Sequence, residues 1–132
     1  MQTFNSGKEP THMELFAHLL YRSSQLPSDQ IEPQWLLLEA AHVMGQTHFA
    51  SHLRVHVRML ALAWKTNDYP EITGQLFRIT LVPLGHLLGR LPIGNPGRSN
   101  VSAFQPMQVS PVLMQAIEQS RAMVVDSRHH TK

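Results

Sequence analysis

Eighteen residues of this chain carry a glutamate and four histidines, Glu39, His42, His48, His52 and His56. Imidazole is the commonest neutral nitrogen ligand for transition metals, and a carboxylate can complete its shell. Glu39 and His42 are three residues apart, whereas His48, His52 and His56 step by four, so on helices each set lines up along one face. An antiparallel helical hairpin turning near residues 45–47 brings Glu39 and His42 level with His52, with His48 and His56 one turn to either side. A mononuclear site then uses Glu39, His42, His52 and either His48 or His56, and five ligands also permit two ions. Such nitrogen-rich coordination favours zinc, with copper, nickel or iron as alternatives, over magnesium or calcium.

The same histidines have a plainer reading, in which they hydrogen-bond Glu39 and backbone carbonyls inside a hairpin. Catalysis finds less support. A zinc-protease helix needs a glutamate directly after its first histidine, and Phe49 and Leu53 fill that place here. Glu39-x-x-His42 has the spacing of di-iron bundles, but such a bundle needs a second pair carried on a helix together with further carboxylates, and the chain's other Glu-x-x-His, Glu9 to His12, begins ahead of the first expected helix. A nucleophile elbow and a phosphate-loop lysine are also missing. The turn from Gly94 to Gly97 followed by Arg98 could offer donors to an anion, although such loops usually serve only as turns. The expectation is a non-enzymatic metal-binding helical protein. Its rival is a protein-interaction scaffold with structural histidines, exposing Met107, Met114, Met123 and Phe104 to a protein partner or a homo-oligomer. A metal-dependent enzyme ranks third.

The elements that must position these residues are helical throughout. Thr11 and Glu14 form a capping box, and Leu15, Phe16, Leu19 and Leu20 follow at helical spacing until Pro27. Pro33 opens a second helix that is apolar nearly all round and stops near Gly45. Thr47 is the expected N-cap of a third helix, from His48 to about Lys65. On it Phe49, Leu53, Val57, Leu60 and Trp64 form one apolar side, with the histidines on a flank beside Val55, Met59 and Ala63. A fourth helix begins near Pro70, with Pro83 kinking or ending it before helix resumes over residues 84–91. A long Gly/Pro loop, residues 93–106, precedes a last helix from Pro111 to about Val124 with Ser110 as N-cap. The pattern predicts an all-α, single-domain helical bundle of five or six helices: a flexible N-terminus over 1–10, one helical domain over 11–125 and a flexible tail over 126–132.

Bulk properties narrow the function classes. The chain has 132 residues, 42% of them hydrophobic and 15% charged, a composition that supports one folded core. Eleven Lys and Arg against nine Asp and Glu leave a formal charge of only +2, and the arginines are scattered singly. Nucleic-acid binding, which relies on clustered cations, is not expected. The apolar runs are too short to span a bilayer and the first ten residues lack a secretory signal, so the expected setting is the cytoplasm, with no membrane partner. Absence of cysteine excludes disulfides and thiolate metal ligands. His12, His18 and His86 read as packing or surface residues, and His129 and His130 as part of the tail.

Taken together, residues 38–46 (LEAAHVMGQ), 52–60 (HLRVHVRML), 83–95 (PLGHLLGRLPIGN) and 100–107 (NVSAFQPM) resemble a bacterial family of unknown function, domain of unknown function 3703. The resemblance spans roughly residues 32–107. It implies a small helical protein without assigned chemistry.

Overall fold

A computed structural model describes residues 8–131, so most of the expected flexible N-terminus falls outside the described residues. Five helices follow one another: α1 (His12–Gln25), α2 (Ile31–Gly45), α3 (Phe49–Lys65), α4 (Tyr69–Leu88) and α5 (Pro111–His130). The fold is all-α, with no strand among the described residues. None of these helices is long and apolar enough to cross a membrane.

Local chemistry explains the helix ends. The Thr11 hydroxyl accepts from the Glu14 N–H while the Glu14 carboxylate accepts from the Thr11 N–H, a closed capping box. Ser110 and Asp68 cap α5 and α4 from one side only, each accepting a backbone N–H and each followed by a proline in the first turn. α3 starts one residue later than the sequence suggests. His48 rather than Thr47 takes the extended N-cap conformation, and its side chain makes no capping bond.

Two expectations about α4 and α5 are corrected. α4 runs unbroken through Pro83, which sits on an exposed face of the helix. Water can there solvate the carbonyl that loses its donor, so the proline neither ends the helix nor divides it in two. The real stop is Gly89, whose φ of 64° is left-handed and costs glycine little. α5 continues to His130, beyond the expected end near Val124.

α1 packs on α2, α2 on α3, and α3 on α4, while α5 lies against α1 and α2. Leu15, Phe16 and Leu19 of α1, Trp35, Leu38 and Ala41 of α2, Val55 and Met59 of α3, and Leu113 and Ile117 of α5 form the core. The face that α3 buries is the histidine flank: Ser51, His52, Val55, His56, Met59, Leu62 and Ala63. The more apolar stripe lies outside, with Phe49, Val57 and Trp64 exposed. Packing therefore turns α3 so that His52 and His56 face inward between α2 and α4. The long connection after α4 folds back over that same junction and closes it.

Candidate metal centre

Inside this junction the Nε2 atoms of three imidazoles converge. His42 Nε2 lies 3.1 Å from both His52 Nε2 and His56 Nε2, and the last two are 3.2 Å apart. All three residues are buried, with relative exposures of 1%, 4% and 2%. An ion bound at about 2.0–2.1 Å to three nitrogens sets them roughly 2.9 Å apart in octahedral and about 3.4 Å apart in tetrahedral geometry. The observed triangle falls between those values, so one first-row divalent ion fits it.

The outward-facing nitrogens fix the rings. His42 Nδ1 is 2.6 Å from the Asn95 carbonyl oxygen, which can only accept, so this Nδ1 carries the hydrogen and Nε2 keeps its lone pair. His56 Nδ1 donates likewise to Gln75 Oε1 at 2.7 Å. The Gln75 amide orientation is set independently, because its Nε2 donates to Glu71 Oε1 at 2.7 Å and to the Gly97 carbonyl at 2.9 Å. His52 Nδ1 pairs with His86 Nε2 at 3.0 Å, and His52 presents a free Nε2 whenever it donates in this bond. Outer partners of this kind orient metal-ligating histidines and raise their basicity.

Proton chemistry points the same way. Burial, reinforced by neighbouring His56 and His52, holds His42 well below the usual imidazole range. Burial and the nearby His56 and His86 push His52 down to about 3. Burial lowers His56 to about 4, against the opposing hydrogen bond to Gln75. Neutral rings with lone pairs directed at one point repel one another unless a cation sits between them.

The loop after α4 is the back wall of this centre. Asn95 is buried, donates through Nδ2 to the Ser102 and Gln105 carbonyls, and accepts the Gly97 N–H on Oδ1. Gly97 has a φ of 87°, and a Cβ there would come within 2.7 Å of the His42 ring. Arg98 then reaches across the junction. Its guanidinium lies 3.8 Å from the centroid of the Trp35 ring, its Nη1 donates to Glu39 Oε1 at 3.2 Å, and its Nε is 3.2 Å from Glu71 Oε2. The Gly97 N–H and the Arg98 cation, singled out as anion donors in the sequence, are thus engaged within the protein.

Of the five residues expected to hold a metal, the structure gathers His42, His52 and His56. Glu39 is drawn to Arg98, and burial raises its pKa despite that cation. His48 is at the exposed N-cap of α3 and stands outside the triangle. Sequence reading missed His86, Gln75 and Asn95 as partners of the cluster. His86 had a signal, since it lies in a helix beside the cluster; the Asn95 contact uses a backbone carbonyl and had none.

A cavity of about 240 Å³ opens beside the triangle, and His42, His52 and His56 all line it. Leu81, Leu88, Leu91 and Phe104 supply much of its apolar wall.

Searches of curated proteins and of solved structures give no match. The model of one family does match, over residues 12–117, a span that takes in all three histidines, Gln75, His86 and Asn95. The chain belongs to that family, described as a protein of unknown function, DUF3703.

Proposed function

We propose that this protein binds a divalent transition metal, zinc foremost, through Nε2 of His42, His52 and His56, and keeps a further coordination position directed to the adjoining cavity. The observation that carries the reading is the 3.1–3.2 Å triangle of nitrogens whose Nδ1 atoms each have an outer partner. Three protein ligands leave zinc one place short of its usual four, and closed structural sites fill all four from the protein. The reading is therefore a metal centre that receives a small ligand, and not a structural staple. Zinc, copper, nickel and iron all suit imidazole, and zinc best matches three neutral nitrogens in a site without thiolates.

Binding is favoured over catalysis. The nearby carboxylates that could act as a general base are committed elsewhere, Glu39 to Arg98 and Glu71 to Ser99 and Gln75. Bringing Glu39 into the shell would require breaking its pair with Arg98, and recruiting His48 would require unwinding the start of α3. An interaction scaffold with purely structural histidines fits less well, because His42 and His56, whose Nδ1 atoms donate outward, turn the lone pairs of their Nε2 atoms on each other at 3.1 Å. We place the protein in the cytoplasm, where zinc supply is buffered and a small carrier or sensor could act.

The test is elemental analysis of protein purified without a histidine tag, together with zinc titration by calorimetry. One equivalent of metal, lost in His52→Ala, is expected. Metal-free protein that no first-row divalent ion binds or stabilises would overturn the proposal.

A further inference from the structure

Charge in the cavity beside the histidines is one-sided. Arg78 and Arg90 line it, and among the described residues no aspartate or glutamate does. Arg78 is only 7% exposed, and its guanidinium donates to the backbone carbonyls of Gly74 and Val101, both neutral acceptors. Two of its five N–H groups are thereby used. Its charge is close enough to His42 and His56 to disfavour a positive charge on either ring. Glu71, the acid nearest to it in effect, is already held by Ser99, Gln75 and Arg98. A dication on three neutral imidazoles would add to this positive field, and buried charge of one sign is costly until an anion enters.

The remaining walls are hydrocarbon. Leu81, Leu88, Leu91 and Phe104 face the space, and a cavity of about 240 Å³ is smaller than those that enclose drug-sized ligands. Hydroxide could satisfy a metal, but it would leave these walls uncovered and Arg78 with only its neutral carbonyl acceptors. A planar carboxylate has one oxygen for a metal and another for a guanidinium, with its chain free to lie on leucine side chains.

We propose that this cavity takes a small aliphatic carboxylic acid, with its carboxylate between the metal position and Arg78 and its hydrocarbon chain against Leu88, Leu91 and Phe104. The assignment rests on the metal reading above and names the ligand class of the same centre.

The experiment uses the whole protein loaded with cobalt(II), whose visible spectrum reports both metal binding and changes in coordination. The spectrum is recorded first without acid, then during titration with octanoate, acetate and inorganic phosphate. Octanoate is expected to shift the cobalt bands with a Kd at least about 100-fold below that of acetate, because its longer chain is buried. Arg78→Gln is expected to weaken octanoate about 10-fold or more. Leu88→Asp, at an exposed position where the fold tolerates a polar group, is expected to weaken it as well. Failure to obtain a cobalt spectrum overturns the metal centre and this inference with it. A normal cobalt spectrum that octanoate leaves unchanged, or shifts no more tightly than acetate or phosphate, overturns the carboxylic-acid assignment alone. Octanoate binding that survives both substitutions intact also overturns it.

Discussion

His56 of α3 and Gln75 of α4, nineteen residues apart in sequence, share a 2.7 Å hydrogen bond that sets which nitrogen of the imidazole faces the triangle. Gln75 turns its oxygen toward that hydrogen because its Nε2 donates to Glu71 Oε1 and the Gly97 carbonyl on the other side. The orientation of one candidate ligand thus depends on a chain of contacts that runs from α3 through α4 into the loop.

Gln75→Leu breaks that chain. Zinc affinity is expected to fall about 10- to 100-fold, the usual effect of losing a partner behind a metal ligand. The fold should lose about 1–3 kcal/mol as well, since the buried Gly97 carbonyl and the His56 Nδ1–H lose their partner. Calorimetric zinc titration and urea unfolding of the metal-free variant measure the two effects separately.

Gly97→Ala tests the loop's close approach to His42. The new methyl group would meet the ring at 2.7 Å, and the residue's φ of 87° strains any side chain. A stability loss of about 1–3 kcal/mol is expected from the backbone alone. Displacement of His42 should weaken zinc as well, measured by competition with a chromophoric chelator.

The choice of ligands is tested by substitutions on both sides of the triangle. Excess zinc at about 100 times its Kd should stabilise the protein by about 2.7 kcal/mol. His52→Ala should abolish the corresponding rise in Tm. His48→Ala and Glu39→Gln should keep it, because the first lies at an exposed helix start and the second is paired with Arg98. Loss of the shift in either would restore the wider five-residue set.

Acid should destabilise the metal-free protein over a defined range. An unfolded histidine titrates near about 6.5, whereas the folded protein holds His56 at about 4, His52 at about 3 and His42 well below its usual value. Between those limits the unfolded state binds more protons. Stability is therefore complete above about pH 6.5 and falls as the pH drops toward 4, by at most about 1.4 kcal/mol per pH unit for each histidine. Urea unfolding between pH 7 and pH 4 measures the slope. Zinc should shift the loss to lower pH, because protons must then displace a metal.

Much of this arrangement was legible without coordinates. Helical period alone puts His52 and His56 one turn apart on one face, and a short turn after Gly45 obliges His42 to approach them. Thr11 with Glu14, Ser110 with Pro111, and the apolar spacing of α1 and α2 are local signals, and the helices start where those signals lie. They are readable because caps and periodicity act between residues only three or four apart.

Tertiary structure decided the rest. Two faces of α3 compete for burial, and hydropathy favours the Phe49, Val57 and Trp64 stripe; the inward turn of the histidine flank follows from packing against α2 and α4 together. Glu39 has the right spacing for a ligand, yet it is held by Arg98, a residue 59 positions away that arrives from a loop with no periodic pattern. The hydrogen bond from His42 to Asn95 uses a main-chain carbonyl that every residue type carries, so no side chain announces it. Local sequence sets which residues can share a helix face, whereas the partner of each face is set by long-range packing that buries several elements at once.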